Sequence, residues 1–266
     1  MEKLYFISGL PRAGSTLLAN ILAQNPRIYS TQTSGLIEIL VSIRNQWDKL
    51  IEMRAMDNDL SEKRKLSVMR SVVNGFYADV DRPVIFDKSR GWLAHIELLE
   101  HILQQPVKIL VPVRDLRDVL ASFERLWREA SKTRQLGIEE ANYLKFQTIE
   151  QRLTLWTNFD QPVGLAYNRI KDALSRGYRN RMHFVDYDKF TRQPETMMRL
   201  VYEFLEEEYY EHDFNNIEQA TFEDDTAHGF PANALHKIRS KIEPQEPQYP
   251  RILGKAADAY RGQNLW

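Results

Sequence analysis

A three-layer α/β/α fold with a central, mainly parallel sheet is the architecture the amino-acid sequence predicts, and three observations carry the prediction. Short apolar runs at Leu4-Tyr5-Phe6-Ile7, Val84-Ile85-Phe86, Val107 to Val113 and His183-Phe184-Val185 are too brief for helices. They are continuous rather than alternating, as strands covered on both faces are. Segments with apolar residues at helical spacing separate them, and such alternation argues for crossover units on a parallel sheet. Finally, the first run passes through a turn bounded by Gly9 and Gly14 directly into a helix-forming stretch. A strand, a glycine-bounded loop and a helix N-terminus make an anion site, because unpaired N–H groups and the helix dipole converge there. The 266 residues are read as one domain, 1–266, with a C-terminal tail from about 244 to 266.

After the first strand, Ser15 onward (Thr16, Leu17, Leu18, Ala19, Asn20, Ile21, Leu22) reads as a helix stopped at Asn25-Pro26. Tyr29 to Gly35 reads as an irregular polar stretch. Leu36, Ile39, Leu40, Ile43, Trp47, Leu50 and Ile51 predict one long helix over 36–56. A second is expected over 61–79, opened by Ser61 as N-cap. Asp81-Arg82-Pro83 is a turn, and the short apolar run after it fits a central parallel strand. Trp92, Ile96, Leu99, Ile102 and Leu103 predict an amphipathic helix over 92–104, ended by Pro106. The third strand tolerates Pro112 near its end, and 115–130 is helical again. A long helical region with polar interruptions is expected from about 138 to 176. The fourth strand follows, then a helix over 194–206 begun by Pro194. Between Glu203 and Asp225 lie ten acidic residues and no lysine or arginine, which reads as a solvated face and loop. Gln245 to Pro250 reads as a proline-spaced extended segment, and Ile252 to Trp266 as a short helix with an aromatic tail.

Composition narrows the function classes. Apolar content of 43% and aromatic content of 11% suffice for a packed core. A formal net charge of −1 gives no reason to expect bulk binding to nucleic acid or membrane. The absence of cysteine excludes disulfides, thiolate catalysis and cysteine metal sites. No apolar run approaches the roughly 20 residues of a membrane span, and no signal peptide is visible. A soluble, cytoplasmic protein is the expectation.

Ligands of open parallel sheets sit at the carboxyl ends of strands, so chemistry is expected just after Ile7, Phe86, Val113 and Val185. At the first of these, Gly9, Gly14 and Thr16 match the spacing of the nucleotide P-loop, Gly-x4-Gly-Lys-(Ser/Thr). Ser15 stands where that motif has its lysine, and the cation is Arg12 inside the loop. The missing lysine acts on the β- and γ-phosphates, so its loss argues against ATP or GTP chemistry and for a single phosphate or phosphosulfate. Gly9-Leu10-Pro11-Arg12-Ala13-Gly14-Ser15-Thr16-Leu17 resembles the 5′-phosphosulfate loop of sulfotransferases, closest to the version of the tyrosylprotein and heparan enzymes.

After the third strand, in Val113-Arg114-Asp115-Leu116-Arg117-Asp118-Val119-Leu120-Ala121-Ser122, Arg114 and Ser122 can face one anion, a guanidinium and a hydroxyl donor together. Arg117 either assists or pairs with Asp118 or Asp115. This segment resembles the same family's 3′-phosphate motif, Val-Arg-(Asp/Asn)-x-(Arg/Lys)-Asp-x3-Ser. Together the two resemblances imply the sulfotransferase form of the P-loop fold and 3′-phosphoadenosine 5′-phosphosulfate (PAPS) as cofactor, with PAP as product. Pro11, Arg12, Ala13, Gly14, Ser15 and Thr16 would hold the 5′ group, and Arg114 and Ser122 the 3′-phosphate.

The second strand runs into Asp87-Lys88-Ser89-Arg90-Gly91-Trp92, where the resemblance implies that Lys88 approaches the transferred sulfuryl group. Fixed cations aimed at the leaving oxygen lower the barrier, a task assigned to Lys88 and Arg12. Val185-Asp186-Tyr187-Asp188-Lys189-Phe190 is similar to the family's Tyr-Glu-Asp-Leu…Pro segment, implying Tyr187 at the adenine. Beyond a Gly229-Phe230-Pro231 turn, Ala234-Leu235-His236-Lys237-Ile238-Arg239-Ser240 looks like the late Leu-Ser-Lys-Val loop that folds over the cofactor. Lys237 then joins the cofactor set. His236, in place of the serine, can donate to the sulfate or accept the acceptor's proton.

The departures concern the base. Cytosolic sulfotransferases carry it in a Lys-Thr-His segment, and its place here is Arg90. The tyrosylprotein enzymes place a glutamate soon after the first helix, where this sequence reads Ser30-Thr31-Gln32-Thr33-Ser34. Glu38 and His236 are the substitutes, and the Arg-Lys-Gly segment of the cytosolic enzymes is missing. The resemblance rests on four short motifs between about 6 and 240.

The reading reached is a PAPS-dependent sulfotransferase acting on a hydroxyl or amine, with no metal. A P-loop small-molecule kinase using Asp87 for Mg²⁺, or a catalytically idle nucleotide- or partner-binding module of the same fold, stands as the alternative. Small-molecule, glycan, lipid and peptide acceptors stay open, as does oligomeric state. Regions 36–79 and 123–160 are expected to wall the acceptor site, with Trp47, Trp127, Tyr143 and Trp156 as pocket or core.

Overall fold

In the computed structural model, which describes residues 2–133, 146–228 and 235–266, five parallel strands form one sheet. These are β1 (Lys3–Ile7), β2 (Ile28–Thr33), β3 (Val84–Lys88), β4 (Ile109–Val113) and β5 (Met182–Asp186), in the order β2-β3-β1-β4-β5. Around them lie α1 (Ser15–Leu22), α2 (Leu36–Trp47), α3 (Ile51–Arg54), α4 (Asn58–Phe76), α5 (Ile96–Leu103), α6 (Leu116–Thr133), α7 (Ile149–Thr157), α8 (Pro162–Ser175), α9 (Tyr187–Arg192), α10 (Pro194–Leu205) and α11 (Tyr249–Ile252). The strand after Pro83, β3, is interior as expected, paired with β2 on one side and β1 on the other, and β1 lies in the middle of the sheet. β3 continues through Asp87 and Lys88, pairing Phe6 with Asp87 and Ile7 with Lys88.

Strand alternation divides the core between the two faces of the sheet. Leu4 and Phe6 of β1 pack with α2, α4, α5, α6 and α8, whereas Tyr5 and Ile7 pack with α1 and α10. Trp92, Trp156 and Phe6 are fully buried on the first face, and Tyr202, Phe86 and Phe190 on the second. Side chains of this size each gain roughly 1.5–3 kcal/mol from burial. The sheet is therefore a rigid floor whose carboxyl edge is left for the loops.

Several expectations are corrected. The polar stretch after Tyr29 belongs to β2, an edge strand paired only with β3. Its polar residues suit an edge, and Thr31 Oγ1 accepts from Lys88 N at 2.9 Å. The single helix over 36–56 is broken after Trp47. There the Trp47 indole donates to Ser61 Oγ (3.0 Å) and Lys65 pairs with Asp48 (2.7 Å), fixing a turn before α3. The cap of α4 is Asp57, whose carboxylate accepts from Leu60 N at 3.0 Å, and Ser61 lies buried inside the helix. The amphipathic helix over 92–104 opens as a 3₁₀ turn, Trp92–His95, before α5. Of the region expected to be helical from 138 to 176, residues 138–145, Tyr143 among them, lie outside the described residues, and 149–175 forms α7 and α8.

The acidic stretch after Glu203 is not simply a solvated face. His212, Ile217, Thr221 and Asp225 are buried within it. Asn20 of α1 clamps it, accepting from Ala220 N (2.6 Å) and Thr221 N (3.0 Å) and donating to Thr221 Oγ1 (3.0 Å). The C-terminal residues are likewise tied down. Asp118 Oδ1 accepts from Gln248 N (2.7 Å) and Tyr249 N (3.2 Å), and Asn264 Oδ1 accepts from Leu116 N (3.3 Å). No helix among the described residues is long and apolar enough to cross a membrane.

Candidate active site

The loop between β1 and α1 owes its shape to two glycines. A Cβ at Gly9 would lie 2.2 Å from the Pro112 carbonyl oxygen, so β1 and β4 approach each other there as only glycine permits. The missing N–H of Pro112 falls beyond the last β1–β4 pair, Ile7 with Leu110, so it breaks no ladder bond. Gly14 has φ +82°, and a Cβ there would meet the Tyr187 ring at 2.6 Å. Arg12 also takes a positive φ, 61°, a costly conformation for a residue with a side chain. No side chain caps the first turn of α1, which leaves its N-terminal amides facing the loop.

A cavity of about 770 Å³ opens over this loop. Of the sequence-derived candidates, Pro11, Arg12, Gly14, Ser15, Thr16, Lys88, Arg114, Ser122, Tyr187, His236 and Lys237 line it. Ala13 is buried behind the loop. Glu38 stands exposed on the first turn of α2, outside the lining. Among the described residues, eight lysine and arginine side chains line the cavity against three carboxylates, Asp118, Glu223 and Glu243. The site therefore favours anions although the whole chain is nearly neutral.

Arg12 bridges both halves of the cavity. Its Nε donates to Ser122 Oγ (3.1 Å) and its Nη1 to the Leu235 carbonyl (2.8 Å). Burial lowers its pKa, and Arg125 and Arg114 add to the shift against Asp225. Arg114, 9% exposed, lies 4.5 Å from the centre of the Tyr187 ring and 3.8 Å from Asp188 Oδ1. Its Nε has no hydrogen-bond partner among the described residues. A buried guanidinium N–H left unpaired is costly, and an oxyanion in the cavity would satisfy it. By this measure Arg114, Arg12 and Ser122 fit a phosphorylated nucleotide. Tyr187 is wedged between Gly14 and Arg114. Arg117 makes a two-point contact with Asp115 (2.9 and 2.6 Å) and covers the Tyr249 ring, leaving Asp118 to hold the tail.

Lys88 reaches from the end of β3 to Thr16 Oγ1 (3.5 Å) and Glu223 Oε2 (3.4 Å). Burial lowers its pKa, with Glu223 opposing. Glu223 was not singled out from sequence. Its carboxylate accepts from Thr33 N (3.1 Å) and Thr33 Oγ1 (2.9 Å) and stands 3.4 Å from His236 Nε2. Burial raises its pKa, but the charge of Lys88 and the Thr33 bonds outweigh this and hold it below the usual carboxylate value. His236 Nδ1 meets the fully buried Asp225, 2.5 Å away, which also accepts from Leu235 N (2.8 Å). A carboxylate there keeps the proton on Nδ1 and turns Nε2 toward Glu223 and the cavity. No local signal distinguishes Glu223 or Asp225 from their acidic neighbours, because the Asn20 clamp that brings them in lies some 200 residues earlier. The Gly229-Phe230-Pro231 turn and Ala234 lie outside the described residues.

Asp87 points away from the cavity. It is fully buried, accepts from Trp92 Nε1 (2.8 Å) and Tyr77 OH, and burial raises its pKa against those bonds. A carboxylate so engaged does not serve a cavity-bound Mg²⁺, which removes the feature the kinase alternative needed. Among the described residues no acidic or histidine cluster suits a metal. Trp156 is core, Trp127 lies under Arg152 and Trp47 bonds Ser61, so none of these three lines the cavity. Its apolar wall instead includes Phe123, Leu126 and Pro162, and 36–79 contributes nothing to it.

Comparison with known proteins bears on the family and the fold. A model described as the sulfotransferase family matches residues 5–211. The fold is similar to the sulfotransferase domain from the curacin biosynthetic pathway, with TM-score 0.50 and 17% identity, covering 100% of this chain and 92% of that one. It is equally similar, at TM-score 0.50 and 18% identity, to the sulfotransferase domain of the Synechococcus PCC 7002 olefin synthase, covering 99% of this chain and 88% of that one. No curated protein matches the chain in sequence.

Proposed function

We propose, since the chain belongs to the sulfotransferase family, that it transfers the sulfuryl group of PAPS to a hydroxyl or amine of an acceptor. The observation that carries this reading is the convergence of Arg12, Ser122 and the unsatisfied Arg114 with Lys88 in one cavity over the β1–α1 loop. PAPS supplies, when bound, a sulfuryl group on a phosphate that leaves as PAP. The loop amides and Arg12 hold the 5′ end, and Arg114 and Ser122 the 3′-phosphate. Lys88, beside Thr16, faces the oxygen on which charge grows as the S–O bond breaks, where a fixed cation is worth most. The acceptor's oxygen or nitrogen forms the new bond to sulfur, and its proton passes to the Glu223–His236 pair. Nε2 of His236, whose Nδ1 is held by Asp225, is the first recipient, and the Glu223 carboxylate, 3.4 Å from Nε2, faces the positive charge this leaves on the ring. Glu38, outside the cavity, has no part in this scheme.

Calorimetric binding of PAP, 5′-AMP and ATP with Mg²⁺ tests the reading. PAP is expected to bind at least tenfold more tightly than either, and Arg114→Ala to abolish that preference. Tighter binding of ATP overturns the proposal. PAP binding without any transfer from PAPS to a broad acceptor panel would favour an idle nucleotide-binding module.

A further inference from the structure

The cavity contains a cation that the cofactor scheme leaves unused. Arg90 follows Lys88 by two residues, across a turn in which Ser89 Oγ accepts from Gly91 N (3.3 Å), and it lines the cavity. Among the described residues its guanidinium makes no hydrogen bond or ion pair. The carboxylate acting on it is Glu223, which Lys88, Thr33 and His236 already surround. A second guanidinium is fastened beside it, since Arg169 Nη1 donates to the Arg90 carbonyl at 3.0 Å. Arg90 is exposed and lines the cavity, so its guanidinium is free to meet an incoming anion there, with the half-buried Arg169 held against its backbone as a second positive charge.

The location identifies which anion. The groups assigned to the nucleotide lie with the β1–α1 loop, α6 and Tyr187. Lys88 touches Thr16 of that loop and, away from it, Glu223. The charge acting on Arg90, two residues past Lys88, is that of Glu223 rather than of any group assigned to the nucleotide. In-line displacement at sulfur requires the nucleophile to arrive opposite the leaving phosphate, hence from the Glu223 side of Lys88. We propose that Arg90, backed by Arg169, anchors an oxyanion of the acceptor, so that the natural acceptor carries a carboxylate or phosphate near its nucleophilic group. This rests on the sulfuryl-transfer reading and adds the substrate class to it. A neutral alcohol acceptor would leave the Arg90 guanidinium with no partner in the cavity.

The test uses charge twins on the PAP-loaded wild-type protein: 4-hydroxyphenylacetate against its amide for the carboxylate, and glycerol 3-phosphate against glycerol for the phosphate. One charged member is expected to bind at least tenfold more tightly than its neutral twin, and which pair responds identifies the oxyanion. Arg90→Gln is expected to erase that discrimination while changing PAP affinity less than twofold, and Arg90→Lys to keep part of it. Equal binding within both pairs, or no binding of either charged member, overturns the proposal without a variant. So does a loss of PAP affinity in a folded Arg90→Gln protein that matches its loss of charge discrimination, because Arg90 would then belong to the cofactor. If PAP itself fails to bind the wild type, the sulfuryl-transfer reading falls first. PAP binding without charge discrimination sinks only this inference.

Discussion

At the scale of single residues, the site separates holding from chemistry. Lys88 touches Thr16 and Glu223 but none of the groups assigned to the 3′-phosphate. Lys88→Met is therefore expected to lower kcat by about 10²–10³, the range for removing one group that stabilises developing charge, with PAP affinity within about threefold. A comparable loss of PAP affinity would make Lys88 a binding residue instead. His236→Gln and Glu223→Gln are each expected to lower kcat by about 10²–10⁴, the range for losing a positioned general base, with PAP affinity within about threefold. An unchanged kcat in both variants would exclude the pair as proton acceptor. His212 makes a separate prediction. Burial pushes its pKa down to about 4, so it stays neutral in the folded protein while the unfolded chain takes up a proton near pH 6.5. Its contribution is complete above pH 6.5 and is lost as pH falls toward 4. Between pH 7 and 5 this amounts to roughly 1–2 kcal/mol, and denaturant unfolding of His212→Phe should show a correspondingly smaller decline.

At the scale of elements, the Asn20 clamp joins α1 to the segment that brings Glu223 and Asp225 into the cavity. Asn20→Ala leaves the buried amide of Thr221 unpaired, at about 1–3 kcal/mol, and the amide of the exposed Ala220 to water. Thermal unfolding should register that loss, and kcat should fall although Asn20 is not in the cavity. A destabilised variant with unchanged kcat would show that Glu223 holds its place without the clamp. The same contact explains where sequence reading stopped. The loop from Gly9 to Gly14, the arginine after β4 and the lysine ending β3 follow apolar runs whose pattern is local, so their place on one edge of the sheet was legible. β2 was not, because an edge strand such as Ile28–Thr33 is half polar and owes its shape to β3. Nor was Glu223, one of ten acidic residues in its stretch, because a side chain 200 residues earlier decides which of them turns inward. The break after Trp47 likewise depends on Ser61 and Lys65 of another helix.

At the scale of the whole molecule, a net charge of −1 hides a cavity with a strong excess of lysine and arginine. PAP affinity should therefore fall steeply with salt, by about tenfold or more between 50 and 500 mM, because screening acts on the local field rather than on the formal total. Affinity independent of salt would place the nucleotide away from these cations. The captured tail has a consequence in time. Asn264 accepts from Leu116 N across 148 residues of chain, an interval that takes about 7–30 s to synthesise at 5–20 residues per second. During that interval the nascent polypeptide has Arg114 and the β1–α1 loop but neither Asn264 to accept from Leu116 N nor Gln248 to donate to Asp118. The start of α6 is thus made early and tied down late, and a chain stalled before residue 248 is expected to leave the first turn of α6 open to amide exchange.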